Sequence, residues 1–316
     1  MAIFSFLKRA SRPGCLAVGL RPEAAELALV QRQAGAKPAL LAWVCGDLPA
    51  GETPERYEAL GNLAAQHELS SCRCTTLLVA GEYQLLQAPA PNVPEKEMAE
   101  ALRWQLKDLA DIEPDSVGVD VLPFPDAAKG RQAQVFLATA EKRLLQTRIQ
   151  GFQAAGLNLQ VIDLPELAQR NVAALFEEEK RGLAFLVCHE DHSLLTFTHQ
   201  GELFAFRRIE IGFRHFAQAD GDRREQLCER VVLELQRSLD TVDRQFGAIS
   251  LSRLLVVLPP ETGLEDQLRN SLYLPFDACD LAEVMDFTAL PEFMERERQR
   301  QSLLILGAAL RDEGWA

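Results

Sequence analysis

Between Leu183 and Gly212, three β-rich runs follow one another with almost nothing between them. They are Leu183–Cys188, Ser193–His199 and Leu203–Ile211, broken by His189-Glu190-Asp191-His192 and by Gln200-Gly201-Glu202. Apolar, β-branched and aromatic runs interrupted by turn residues predict strand, turn, strand, turn, strand. Connections this short join antiparallel neighbours, because a parallel pair needs a crossover of about a dozen residues or more. A second unit of the same kind opens the chain, with Cys15–Leu20 and Glu26–Arg32 around Arg21-Pro22-Glu23, then Ala39–Val44. Two such units, each leading on to helices and a further strand, predict an α/β protein made of two similar halves.

The elements between them read as follows. Pro54–Glu68 is a helix, with Tyr57, Leu60, Leu63 and Ala64 at helical spacing. Thr75–Ala80 and Tyr83–Ala88 are strands. Pro94 opens a helix whose stripe is Met98, Ala101, Leu102, Gln105, Leu106 and Leu109. Strands Val117–Pro123 and Ala133–Ala140 flank a polar loop through Asp126 and Arg131; Lys142–Ala155 is a helix capped by Gly156, and Leu159–Asp163 a strand. A helix over Leu164–Glu179 ends in the charge run Glu177–Arg181, read as a hinge that divides the chain into residues 1–178 and 179–316. Beyond the second three-strand unit come a helix over Arg223–Phe246, a strand over Leu254–Leu258, and helices over Leu264–Leu272 and Gln301–Arg311. The run Glu295–Arg300 reads as a solvated face.

Composition narrows the function classes. A net charge of −13 without a basic patch disfavours nucleic acid and anionic lipid as partners. No run approaches the roughly 18 to 20 apolar residues needed to cross a bilayer, and the N-terminus places apolar residues before basic ones, the reverse of a secretory signal. The 7 cysteines are an odd, irregularly spaced set, as expected of free thiols in a reducing compartment; Cys72-Arg73-Cys74 has no second ligand pair at finger-like spacing. No Walker loop, Rossmann fingerprint or Gly-x-Ser-x-Gly elbow is present.

Several stretches, in order, resemble the PilM family of type IV pilus assembly proteins. They are Val93-Pro94 through Trp104 and on to Val121-Leu122, VFLATAEKRLLQTRIQGFQAAGLNLQVIDLPELA at Val135–Ala168, Gly201–Phe204 with Arg207–Gly212, Leu235–Leu239, and Leu306–Arg311. Within the family the likeness is greatest to the MshI branch, which serves mannose-sensitive haemagglutinin (MSHA) pili. The resemblance implies the actin-like, two-lobed fold of the division protein FtsA, with a strand-helix-strand-strand subdomain inserted within about 75–163. It also implies a place at the cytoplasmic face of the bacterial inner membrane, in the pilus inner-membrane assembly complex. There the chain would hold the cytoplasmic tail of a PilN-like membrane protein between the first-half core and the inserted subdomain.

The family binds ATP between its halves, and its nucleotide motifs are altered here. Where the family has Gly-Ile-Asp-Ile-Gly-Ser-Ser leading to Val-Lys, this chain has Ala17-Val18-Gly19-Leu20-Arg21-Pro22-Glu23, with Glu26 in place of the lysine. The metal-directed acid has become Gly19, a flexible glycine Arg21, and the cation Glu26; Pro22 removes an amide donor. The second phosphate motif falls on Val187-Cys188-His189 and Glu190-Asp191-His192-Ser193, and the adenosine loop on Leu258-Pro259-Pro260-Glu261-Thr262-Gly263. A pseudo-ATPase without cofactor is the expectation; the alternative is an actin-like ATPase that still binds or hydrolyses ATP with magnesium in a divergent cleft, with Arg21 partly replacing the missing cation. His189 and His192 beside two carboxylates offer either metal ligands or a solvated turn. Arg103 and Trp104 offer either a contact for a partner or packing beneath a neighbouring loop; Phe4, Phe6 and Leu7 offer either docking or terminal disorder.

Overall fold

In the computed structural model, residues 13–110, 113–124, 134–258 and 262–311 are described. Phe4, Phe6, the Asp126–Arg131 loop and Pro259–Glu261 lie outside them. The first lobe opens with β1 (Cys15–Arg21), β2 (Ala24–Gln31), β3 (Ala39–Asp47), α1 (Pro54–Gln66) and β4 (Arg73–Leu77). Then come β5 (Tyr83–Pro89), α2 (Glu95–Ala110), β6 (Val117–Pro123), β7 (Gln134–Glu141), α3 (Lys142–Ala154), β8 (Asn158–Asp163) and α4 (Pro165–Ala173). The second lobe has β9 (Gly182–Cys188), β10 (Ser193–His199), β11 (Glu202–Ile209), α5 (Phe213–Ala217), α6 (Gly221–Gln245), β12 (Leu251–Val257), α7 (Leu264–Ser271), β13 (Phe276–Ala278) and α8 (Arg296–Ala309).

The two large sheets repeat one plan. Their strand orders are β3-β2-β1-β4-β8 and β11-β10-β9-β12-β13: a three-strand antiparallel meander whose first strand then takes two parallel neighbours on its other side. β9 and β10 are buried at every residue, because each of their faces carries helices. That is why Leu183–Cys188 reads as a continuous apolar run rather than an alternating one.

Two helices are exchanged between the lobes. α8 lies on β1, β2 and β4, whereas α4 lies on β9, β10 and β11, and the two pack against each other between the sheets. A Cβ on Gly307 would stand 2.2 Å from the Ala168 carbonyl oxygen, so only glycine permits α8 to approach α4 this closely. Buried Gln169 of α4 donates to the carbonyls of Phe185 and Leu194 and to the Thr196 hydroxyl, and Asn171 donates to the Gly307 carbonyl. The helix predicted over Leu164–Glu179 stops at Ala173, because the chain then turns to bury Phe176 beside α4 and β9. The run Glu295–Arg300 caps and starts α8; Glu295, Arg296 and Glu297 are exposed as a solvated face would be, but Gln299 is buried, accepting from the Leu281 amide and donating to Asp280 and the Phe293 carbonyl.

Between β4 and α3 stands the strand-helix-strand-strand insertion, a small antiparallel sheet of order β5-β7-β6 covered by α2. Its entry is pinned by buried Arg148 of α3, which pairs with Glu82 at 2.9 Å and Glu52 at 3.3 Å. Its far side packs on the second lobe through Phe136, which stacks on Phe124 at 4.5 Å and meets Phe206 at 5.8 Å.

Candidate functional site

The altered nucleotide motifs fall on the hairpins β1–β2 and β9–β10, and a groove lies beside the insertion. At the first hairpin a Cβ on Gly19 would lie 3.2 Å from Ile305 Cδ1 of α8. An acidic side chain at this position would have to displace an apolar one, and none is there to hold a metal. Glu26, opposite Gly19 in the ladder, is only 4% exposed. It accepts from Arg21 at 2.8 Å and from Trp43 Nε1 at 2.8 Å, while Arg298 of α8 stacks 3.8 Å above the Trp43 ring. Arg21 is thus spent on Glu26. Buried Arg56 draws the carbonyls of Arg21, Pro22 and Pro49 toward itself, so the turn is braced from beneath by a cation.

At the second hairpin Glu190 and Asp191 stand where a phosphate loop would lie and would repel an anion, but their charge is blunted. Arg214 reaches both, at 2.8 and 3.0 Å. The backbone of the tip bonds Phe213 and Arg214, and a Cβ on Gly212 would strike the His192 amide at 2.3 Å. The histidines are not solvated as a free turn would have them: their rings pack 5.0 Å apart, and His189 Nε2 is buried without a hydrogen-bond partner. Burial, with His192, Arg208 and Arg300 adding to it, pushes His189 down to about 3; burial and Arg208 push His192 down to about 4. No group of metal-ligating side chains is found among the described residues. At the third loop Gly263 has φ 75° and precedes α7, so glycine is required there by conformation, not by space.

These histidines make a prediction. Their folded pKa values lie below that of an unfolded histidine, about 6.5. As pH falls below 6.5 the unfolded chain takes up protons that the folded one refuses, and stability drops until the folded values are reached. Near pH 4.5, His189 alone contributes a loss of about 2–3 kcal/mol relative to neutral pH. In urea unfolding, His189→Gln should flatten this part of the pH profile; an unchanged slope would show that the ring is not held neutral.

The groove is of another character. About 520 Å³ in volume, it lies between β6, β7, α3 and β8. Its lining is mainly apolar, including Leu145, Ile149, Leu164 and Leu167, with small Gly118 and Ala138 giving depth and Asp120, Thr139 and Gln160 among its polar members. β6 ends the small sheet and β8 ends the first large sheet, so the groove runs between two strands that, among the described residues, each have a neighbour on one side only. Consecutive residues of β8, Leu159 to Asp163, face it. Arg311 and Asp163 close one end with a 2.7 Å ion pair, and Asp120 is exposed at the rim.

The comparisons agree with this architecture. A solved PilM-PilN type IV pilus biogenesis complex matches 95% of this chain and 98% of its own, with a TM-score of 0.73 and 21% identity. A Bacteroides thetaiotaomicron protein described as having an actin-like ATPase fold matches over 96% and 99%, with a TM-score of 0.51 and 10% identity. The fold is actin-like. No protein-family model and no curated protein matches the sequence.

On the actin-like frame, the residues singled out in sequence fall into separate groups. Gly19, Arg21 and Glu26 come together at the first hairpin, His189, Glu190 and Asp191 at the second, and α8 runs alongside both, with Ile305 on the first and Arg300 stacked 5.4 Å over Phe213 beside the second. Arg103 and Trp104 lie apart on α2, and Trp104 is 65% exposed rather than packed under a loop. Sequence reasoning did not find the groove lining. The available signal was the small residues Gly118, Ala138 and Ala140 on strands otherwise rich in large apolar ones.

Proposed function

We propose that this chain is a PilM-like scaffold that holds the cytoplasmic tail of a PilN-like membrane protein in the groove between β6 and β8. The observation that carries the reading is the groove itself, a mainly apolar trough between two strand edges that are unpaired among the described residues. An extended peptide laid there can bond main chain to main chain while apolar side chains fill the depth. The solved complex of like fold contains both a PilM and a PilN, which supports the choice of partner. No described helix is long and apolar enough to cross a membrane, so attachment to the inner face of the inner membrane would come through the partner. Service in an MSHA-type pilus follows from the MshI likeness.

We also propose that the protein is a pseudo-ATPase. The residues between the hairpins do not fit a metal-chelated triphosphate: Ile305 crowds the place of the metal-directed acid, Glu26 replaces the lysine, and Arg21 is neutralised. A calorimetric titration tests both readings together. The cytoplasmic tail of a PilN-like protein should bind, and magnesium ATP at millimolar concentration should give no heat. Failure of the tail to bind at high concentration sinks the scaffold reading; micromolar ATP binding sinks the other.

A further inference from the structure

The groove has a polar link to the second lobe that its apolar lining does not need. Tyr83, the first residue of the insertion, lines the groove, and its hydroxyl lies 2.9 and 2.7 Å from the two carboxyl oxygens of Glu166. Glu166 sits in the first turn of α4 and is 5% exposed. Burial pushes both groups up, and Arg208 of the second lobe, itself bonded to Glu210 at 2.8 Å, tempers each. A hydroxyl carries one proton, so the buried carboxyl group of Glu166 is served by one neutral side-chain donor, Tyr83, beside its own backbone amide. Such a contact is worth only about 1 kcal/mol net and can be exchanged for water when a gap opens.

Three routes leave the groove for the second lobe at this point. Leu164 and Leu167 line the groove at the start of α4, whose Gln169 is bonded into β9 and β10 about one turn on. Asp163 pairs with Arg311, just beyond the end of α8. Tyr83 pairs with Glu166. Of the three, the Tyr83 link is the one that crosses from the insertion, whose base is fixed by Arg148 and whose β5 also rests on the shared core through Leu85.

We infer that Tyr83 and Glu166 are positioning residues that hold the insertion at the width the groove now has, and so couple groove occupancy to the second lobe. The inference rests on the groove being the tail's seat. With the link intact the binding-competent width is populated; without it the width is populated only in part, and apparent affinity falls by that fraction.

The test combines affinity with hydrogen exchange. Tyr83→Phe should bind the tail peptide about fivefold more weakly, the ratio that about 1 kcal/mol represents. In the unaltered protein the peptide should slow amide exchange in β9–β11 as well as in β6 and β8, and Tyr83→Phe should remove the change in β9–β11 alone. A merely structural tyrosine would leave that distant change in place. A second arm needs no peptide: Ala138→Trp, or Ile149→Trp at the half-exposed rim should the first fold poorly, fills the groove from within and should slow β9–β11 in the same way. If groove filling leaves β9–β11 unmoved, or Tyr83→Phe matches the unaltered protein in both measurements, the coupling is overturned. If the peptide fails to bind while the filled variants still slow β9–β11, the coupling stands and the choice of tail is wrong.

Discussion

Gly307→Leu should leave no folded protein at 37 °C, and Gly307→Ala should fold with a lowered melting temperature. Even the single methyl of alanine would lie 2.2 Å from the Ala168 carbonyl oxygen and 3.2 Å from Val172 Cγ2. The obstructing atom is backbone in the middle of the α4–α8 contact, so it cannot swing aside as a side-chain tip would. Alanine gains about 1 kcal/mol of helix propensity over glycine, but overpacking of a dense core costs about 1–3 kcal/mol for added methyl groups, and separating the helices also strains the Asn171 bond to the Gly307 carbonyl. The clash therefore wins. At roughly 2–4 °C per kcal/mol in a chain of this size, the alanine variant should melt several degrees lower. Leucine forces the lobes apart along the whole core they share, a loss above about 4 kcal/mol. Calorimetric melting of both variants decides the matter: a leucine variant that melts like the parent would mean that α4 and α8 are not held at this distance.

The same contact shows what was legible in the sequence. The meanders were readable because each strand is a short run bounded by turn residues, and local chemistry alone marks them. Helix ends were harder. Nothing local stops the helix at Ala173; Phe176 turns inward because a space between the lobes awaits it, a tertiary fact. Likewise α8 begins five residues before its apolar spacing does, because Gln299 is buried by three hydrogen bonds that its own sequence neighbourhood does not announce. Charge was the least readable quantity. Glu190 and Asp191 read as a repulsive tip, yet their partner Arg214 comes from another segment, and Glu26 read as a misplaced charge although it is buried between Arg21 and Trp43. The resemblance pointed to a seat between the first-half core and the insertion, but the groove's lining was hidden because it comes from separate stretches of chain, each of which reads simply as core.

Ala138→Trp should abolish capture of the tail, lowering affinity at least about a hundredfold while the protein still folds. Ala138 lies on β7, the middle strand of the insertion, is only partly buried, and faces the groove. An indole there occupies the depth that an apolar anchor of the tail would fill. A short peptide has few anchors, and loss of one that sits in a desolvated pocket costs about 2–4 kcal/mol, which is roughly 30- to 1,000-fold. Main-chain pairing along β6 or β8 cannot compensate, because the strand would have to rise out of the trough to pass the ring. The control is Trp104→Ala on α2, an exposed aromatic residue outside the groove lining. If the tail lies between β6 and β8, this variant should bind as the parent does. The reverse pattern, with Trp104→Ala losing the tail and Ala138→Trp retaining it, would move the partner to the α2 face, where Arg103 and Trp104 stand side by side.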